Sequence, residues 1–267
     1  MKKGFLRILC FAMMLFCGLQ TVGFCEQASA QQTSIVKEDE TKDCELFDAV
    51  RDNDLEKVKE LIANGANVNS KKGRYYSTPL HFVKDVEIAK LLIANGADVN
   101  AQDGLAGFTP LYWVEDVDIA KLLIANGADV NAKAGDEGYT PLCWAANVDI
   151  AKLLIANGAD VNAKGFVKRT PLHHVRNVDV AKLLIASGAD VNAKGFAGDT
   201  PLHFASADGE IEIIKLLIAN GADVNASDIW GQTVLHYAKN AEVAKVLIEN
   251  GADRNARDNA GKTPKWI

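Results

Sequence analysis

One recurring string governs how this chain can fold. Asn-Gly-Ala-Asp-Val-Asn-Ala, or a near copy, occurs seven times, with its glycine at Gly65, Gly96, Gly127, Gly158, Gly188, Gly221 and Gly251. The intervals are 31, 31, 31, 30, 33 and 30 residues. Eight or nine residues after each Asn of the Val-Asn pair (Arg-Asn in the last copy) comes Thr-Pro-Leu-His or a variant. These begin at Thr78, Thr109, Thr140, Thr170, Thr200, Thr233 and Thr263. Units this short cannot bury their own apolar faces, so they must stack on one another.

Each part of the unit has a local physical reading. Thr78 is suited to cap a helix whose first position is Pro79, where a missing N–H costs nothing. A second helix follows, with Ile88, Leu91 and Leu92 on one apolar face and Lys90 turned outward. Gly96 ends that helix, because glycine enters the left-handed conformation without steric cost. The polar stretch from Asn100 to Phe108 is then a turn or hairpin into the next Thr-Pro. The spacing predicts an all-α chain built as a solenoid of helix-turn-helix units with projecting hairpins.

The alternation of Thr-Pro-Leu-His, an Ile/Val-x-Lys-Leu-Leu helix and Gly-Ala-Asp-Val-Asn-Ala resembles the ankyrin repeat over residues 44–267. The resemblance implies a curved stack of helix pairs with hairpin fingers on one side, and a protein partner held by the fingers and a concave groove. The units read as 44–74, 75–105, 106–136, 137–166, 167–196, 197–229 and 230–259, with a stub at 260–267. The family's period is 33, and only the unit opening at Thr200 keeps it, retaining Asp208-Gly209 between its helices. The other Thr-opening units lack about three residues there, so Asp85, Asp116, Asn147, Asn177 and Asn240 are placed to cap the second helix directly. A first helix of under two turns is expected in those units, and a changed curvature at 200–220. The ends read as caps, with Asp43, Glu45 and Asp48 flanking Leu46, Phe47 and Val50 at the start. Arg254 and Lys265 stand at apolar positions at the finish.

The first thirty residues are of another kind. Lys2, Lys3 and Arg7 precede an apolar run from Ile8 to about Phe24, and then Ala28-Ser29-Ala30. This is the layout of a cleaved secretory signal, which places the mature chain in the periplasm or outside the cell. An uncleaved anchor is the rival reading, and the only route by which this chain would touch a membrane. Gly18, Gln20 and Thr21 interrupt a run already short for a span. Cleavage near Ala30 would leave 26 basic against 34 acidic residues, a net charge of −8 compared with −6 for the whole chain. That balance argues against a nucleic-acid partner. It would also leave Cys44 and Cys143, too far apart in sequence to form a disulfide framework. Residues 31–43 read as a disordered polar spacer.

Function is expected at the aromatic residues. Following each Thr-Pro-Leu-x motif stand Phe82, Trp113, Trp144, His174, Phe204 and Tyr237, a position that the resemblance places on the inner helix facing the groove. Such a row suits an interface and equally suits packing between short helices. The fingers carry Tyr75, Tyr76, Phe108, Tyr139, Phe166, Phe196 and Trp230, all expected near their tips, where recognition commonly sits. Lys71, Lys133, Lys164, Lys194 and Arg257 share one finger position and form either a solvated row or a rim that steers an acidic partner. His81, His173, His203 and His236 lie one per repeat, too dispersed for zinc, and the resemblance makes them internal hydrogen-bonding residues. Cys143 reads as a small buried side chain. Asp98, Asp129, Asp160, Asp190, Asp223 and Asp253 recur through turn chemistry. No nucleophile elbow, phosphate loop or metalloprotease motif occurs, so neither catalysis, cofactor nor metal is expected. The expected function is that of a monomeric protein-binding scaffold. Glycan or cell-wall binding through the rings is the alternative.

Overall fold

The computed structural model describes residues 34–135, 138–145 and 147–266, and the leading signal-like segment lies outside them. Nine α-helices occur among the described residues: α1 (Ser34–Arg51), α2 (Leu55–Ala63), α3 (Val86–Ala94), α4 (Val117–Ala125), α5 (Val148–Ala156), α6 (Val178–Ala186), α7 (Pro201–Asp208), α8 (Ile211–Ala219) and α9 (Ala241–Glu249). Single 3-10 turns occupy Pro79–Phe82, Pro110–Tyr112, Pro141–Trp144, Pro171–His173 and Val234–Tyr237. Contacts run chiefly between successive elements, as they do in a solenoid.

The three-residue deletion has the expected effect. Five units reduce the inner helix to one 3-10 turn, and only the Thr200 unit forms a true inner helix, α7. That helix ends on Gly209 at φ +83°. In the shortened units the outer helix starts at once, capped by the side chains of Asp85, Asp116, Asn147, Asn177 and Asn240, each accepting from backbone N–H groups of the first turn. Each outer helix ends with an Asn or Ser and then a left-handed glycine, as at Gly96 (φ +84°).

The core is one continuous strip along the stack. Each unit contributes the Leu or its equivalent after Thr-Pro (Leu80, Leu111, Leu142, Leu172, Leu202, Leu235) and an outer-helix trio such as Ile88, Ala89 and Leu92, all buried. The small middle residue recurs as Ala120, Ala151, Ala181 and Ala244, whereas the full-length unit has Ile214 there, fully buried. The larger Ile214 thus accompanies the one unit that has a true inner helix.

A polar ladder runs beside the core. Asn69 donates its side-chain amide to Gly96 O and accepts from Asp98 N–H, both at 2.8 Å. Asn100, Asn131, Asn162, Asn192 and Asn225 repeat this two-way bridge to the next unit. Each bridge satisfies a carbonyl and an N–H that the turn leaves over. At the start of the ladder Asp43 of α1 accepts from Asn67 N–H at 2.7 Å. Within each turn the recurrent Asp accepts from the N–H two residues on, as Asp98 does from Asn100.

One expectation is corrected here. Helix α1 begins at Ser34, so most of the stretch 31–43 is helical instead of a disordered spacer. Its Lys and Glu are good helix formers as well as polar residues. Among the described residues Cys143 is a free thiol.

Candidate functional site

The fingers form a ridge stitched by backbone hydrogen bonds. Gly104 N–H donates to Tyr75 O, Gly135 N–H to Ala106 O, Phe196 N–H to Val167 O, Ile229 N–H to Ala197 O and Asn259 N–H to Trp230 O, all within 3.0 Å. Within a finger the side chains divide by position. Those immediately before the Thr turn inward: Phe108 is buried against Tyr112 and Trp113, with ring centroids 5.0 and 5.4 Å away. Phe108 is therefore a packing residue, contrary to its expected place at a tip. Tyr139 is half-buried and contacts Trp144 and His174 edge-on.

The residue four before the Thr stands at the tip. Phe166 and Phe196 are 75% and 73% exposed there, and Leu105 and Ile229 occupy the same place, also exposed. Trp230 and Tyr76 are exposed beside them, and Tyr75 is half-buried. Leu105 and Ile229 escape a reading that looks for rings, although a fixed distance from the Thr would have found both.

The groove row is graded. Phe82, His174, Phe204 and Tyr237 are half-buried and packed: Phe82 on Phe47, Phe204 on His173 and under the Arg169 guanidinium at 4.6 Å, and Tyr237 on His203. The Tyr237 hydroxyl donates to Asp228 at 2.7 Å. Trp113 and Trp144 are 39% and 36% exposed, each with one edge against a finger ring.

The motif histidines are internal fasteners. In each of the four, Nδ1 accepts from the Thr N–H and faces the Thr hydroxyl. The Nε2 proton reaches a carbonyl of the following finger: Phe108, Asp199, Gln232 and Lys262 O respectively. Burial is the largest influence on His81, His173 and His203 and lowers their pKa values, that of His173 to about 4. Where Tyr112 replaces histidine, its hydroxyl reaches Tyr139 O, and Thr109 Oγ1 is left buried without a partner. Cys143 faces Thr140 Oγ1 at 3.6 Å, and burial pushes its thiol pKa up, away from a reactive thiolate. No cluster of His, Cys, Asp or Glu suited to a metal ion occurs among the described residues. No helix there is long and apolar enough to cross a membrane.

Charge is distributed unequally. On the outer helices Lys90, Lys121, Lys152, Lys182 and Lys215 each pair with an acid three residues before them. On the fingers Lys71, Lys164, Lys168 and Lys194 are exposed and join no ion pair among the described residues. Lys133 Nζ donates forward to Lys164 O of the next finger at 3.0 Å, and Arg257 donates to Gly261 O within its own finger.

Stacked helix-turn-helix units, hairpin fingers and a Thr–His fastener at four of the described Thr-opened turns define an all-α repeat scaffold. The family model for ankyrin repeats (three copies) matches residues 46–134, 82–165, 114–195 and 172–258. The chain belongs to the ankyrin repeat family. Ankyrin repeats generally serve as protein–protein interaction scaffolds and are typically non-enzymatic. Among curated proteins, none matches the chain.

Proposed function

We propose that this chain is an exported, non-catalytic scaffold that acts as a monomer and holds another protein against its finger ridge and adjoining groove. The observation that carries the reading is the placement of Phe166, Phe196, Trp230 and Tyr76 in solvent on a backbone-stitched ridge. Large side chains kept out of the core on a rigid frame lose little entropy when a partner covers them. Trp113 and Trp144 extend the surface into the groove. Phe82, His174, Phe204, Tyr237, Tyr75 and Tyr139 support it from beneath, with their open edges available to a partner.

Export is supported by the basic head, apolar run and Ala28-Ser29-Ala30 of the sequence. N-terminal sequencing of chain recovered outside the cytoplasm is expected to begin at Gln31, and recovery only of intact, cell-retained chain would refute export. Binding is tested by capture from the exported fraction with the native chain and with Phe166→Ala/Phe196→Ala/Trp230→Ala. The triple variant is expected to lose most of the captured partner at unchanged helicity. Equal capture by both would defeat the finger reading.

A further inference from the structure

The two fingers at 164–169 and 194–199 differ from the rest of the ridge. Three other fingers are braced by a carboxylate: Asp103 Oδ1 accepts four backbone N–H groups of its loop, and Asp228 and Asp258 act alike, whereas Lys72 and Ala134 hold that place in the remaining two. In fingers 164–169 and 194–199 the corresponding residues are Gly165 and Gly195. Their exposed side chains are Lys164, Phe166 and Lys168, then Lys194 and Phe196, with no exposed acid among them. The single carboxylate, Asp199, is buried and held by Arg169 at 2.9 Å. That pair, the Phe196–Val167 backbone bond and the Arg169–Phe204 contact fix one finger against the other.

A second anomaly lies in the same place. The residue two before the Thr sits in the left-handed region, and it is glycine in five fingers: Gly107, Gly138, Gly198, Gly231 and Gly261. Lys168 occupies it at φ +57°, and Tyr76 at φ +48° in the first finger. A side chain there costs about 1 kcal/mol against glycine. Tyr76 has a packing partner, since its ring lies over Gly104. Lys168 is exposed and joins no ion pair among the described residues. Lys168 thus takes up a left-handed position that glycine fills in five other fingers, and presents a cation close to Phe166 and Lys164 in sequence.

We infer that fingers 164–169 and 194–199 dock an acidic, apolar-studded segment of the partner protein. Its carboxylates meet Lys164, Lys168 and Lys194, and its apolar side chains lie between Phe166 and Phe196. This deepens the scaffold reading and rests on it. The chain's overall negative charge opposes broad polyanionic surfaces, so a short acidic segment meeting a local basic patch is the fitting complement.

The test is selection of linear 12-residue peptides from a random display library on the full chain. Their affinities are then measured for the native chain, Lys164→Glu/Lys168→Glu/Lys194→Glu and Lys168→Gly. Enriched peptides are expected to be acidic with interspersed apolar residues, and charge reversal is expected to weaken them about tenfold or more. Lys168→Gly is expected to raise the melting temperature while weakening binding severalfold, a split that a merely structural lysine would not give. Neutral or basic winners, no winners at all, or acidic winners indifferent to the three lysines would each overturn the inference. Winners blocked only by Trp113→Ala/Trp144→Ala would overturn it while leaving the scaffold reading standing. Tighter retention of single-stranded DNA or phosphatidylglycerol vesicles than of the acidic winners would also overturn it.

Discussion

The unit at 200–229 and the shortened units around it perform the same structural task with different amounts of chain. The full-length unit spends its three extra residues on a second turn of α7 and the left-handed Gly209, and buries Ile214 where its neighbours have alanine. Its neighbours keep the Leu, the outer helix and the Asn bridge but discard that turn. The comparison separates what the repeat needs from what it tolerates. Joints between units are made by the Thr turn, the outer-helix trio and the ladder, and the inner helix can shrink to one 3-10 turn without breaking any of them.

Three experiments test that division, from the largest effect to the smallest. Ile214→Ala is expected to cost about 3–4 kcal/mol, because Ile214 is fully buried in the core, with a matching fall in urea midpoint. The reverse change, Ala151→Ile in a shortened unit, is expected to destabilise by about 1–3 kcal/mol through overpacking. If Ile214→Ala were nearly neutral, the core role of Ile214 would be wrong. Next is pH. His173 is held neutral, its pKa lowered from 6.5 to about 4, so the unfolded chain takes up a proton that the folded chain refuses. Stability is complete above about pH 6.5 and is lost as pH falls through about 4, by roughly 3 kcal/mol for this residue. His81 and His203 add in the same direction. Chemical denaturation from pH 7 to 4 reads the slope, and His173→Gln is expected to flatten it. Smallest is the ladder: Asn131→Ala, which removes bonds to Gly158 O and Asp160 N–H, is expected to cost about 1 kcal/mol. Asn255→Ala, beyond the last outer helix, is expected to stay within about 0.5 kcal/mol. Equal effects at both sites would show that the side-chain bridges contribute little.

Much of this was legible in the sequence, for a physical reason. Period, caps and turn glycines are local signals, and the three-residue deletion translates directly into Asp85, Asp116, Asn147, Asn177 and Asn240 as caps. The ladder was not read, although its asparagines recur, because a side chain that spans two units has no signature within either. Helix α1 was missed because a polar run rich in Lys and Glu satisfies both a solvated coil and a solvated helix. At the candidate site the rings were found but not their directions. Phe108 and Phe166 are alike as letters, and only their distance from the following Thr decides that one is buried and the other exposed.

The ladder has a consequence for how such a chain changes over time. Every asparagine offers the same pair of groups to whatever unit comes next, so a joint does not record which units it unites. Copying or dropping an internal unit leaves every remaining joint chemically intact, and with it the length of the ridge becomes adjustable without a new solution to packing. Individuality resides instead in the finger tips, which the joints do not use.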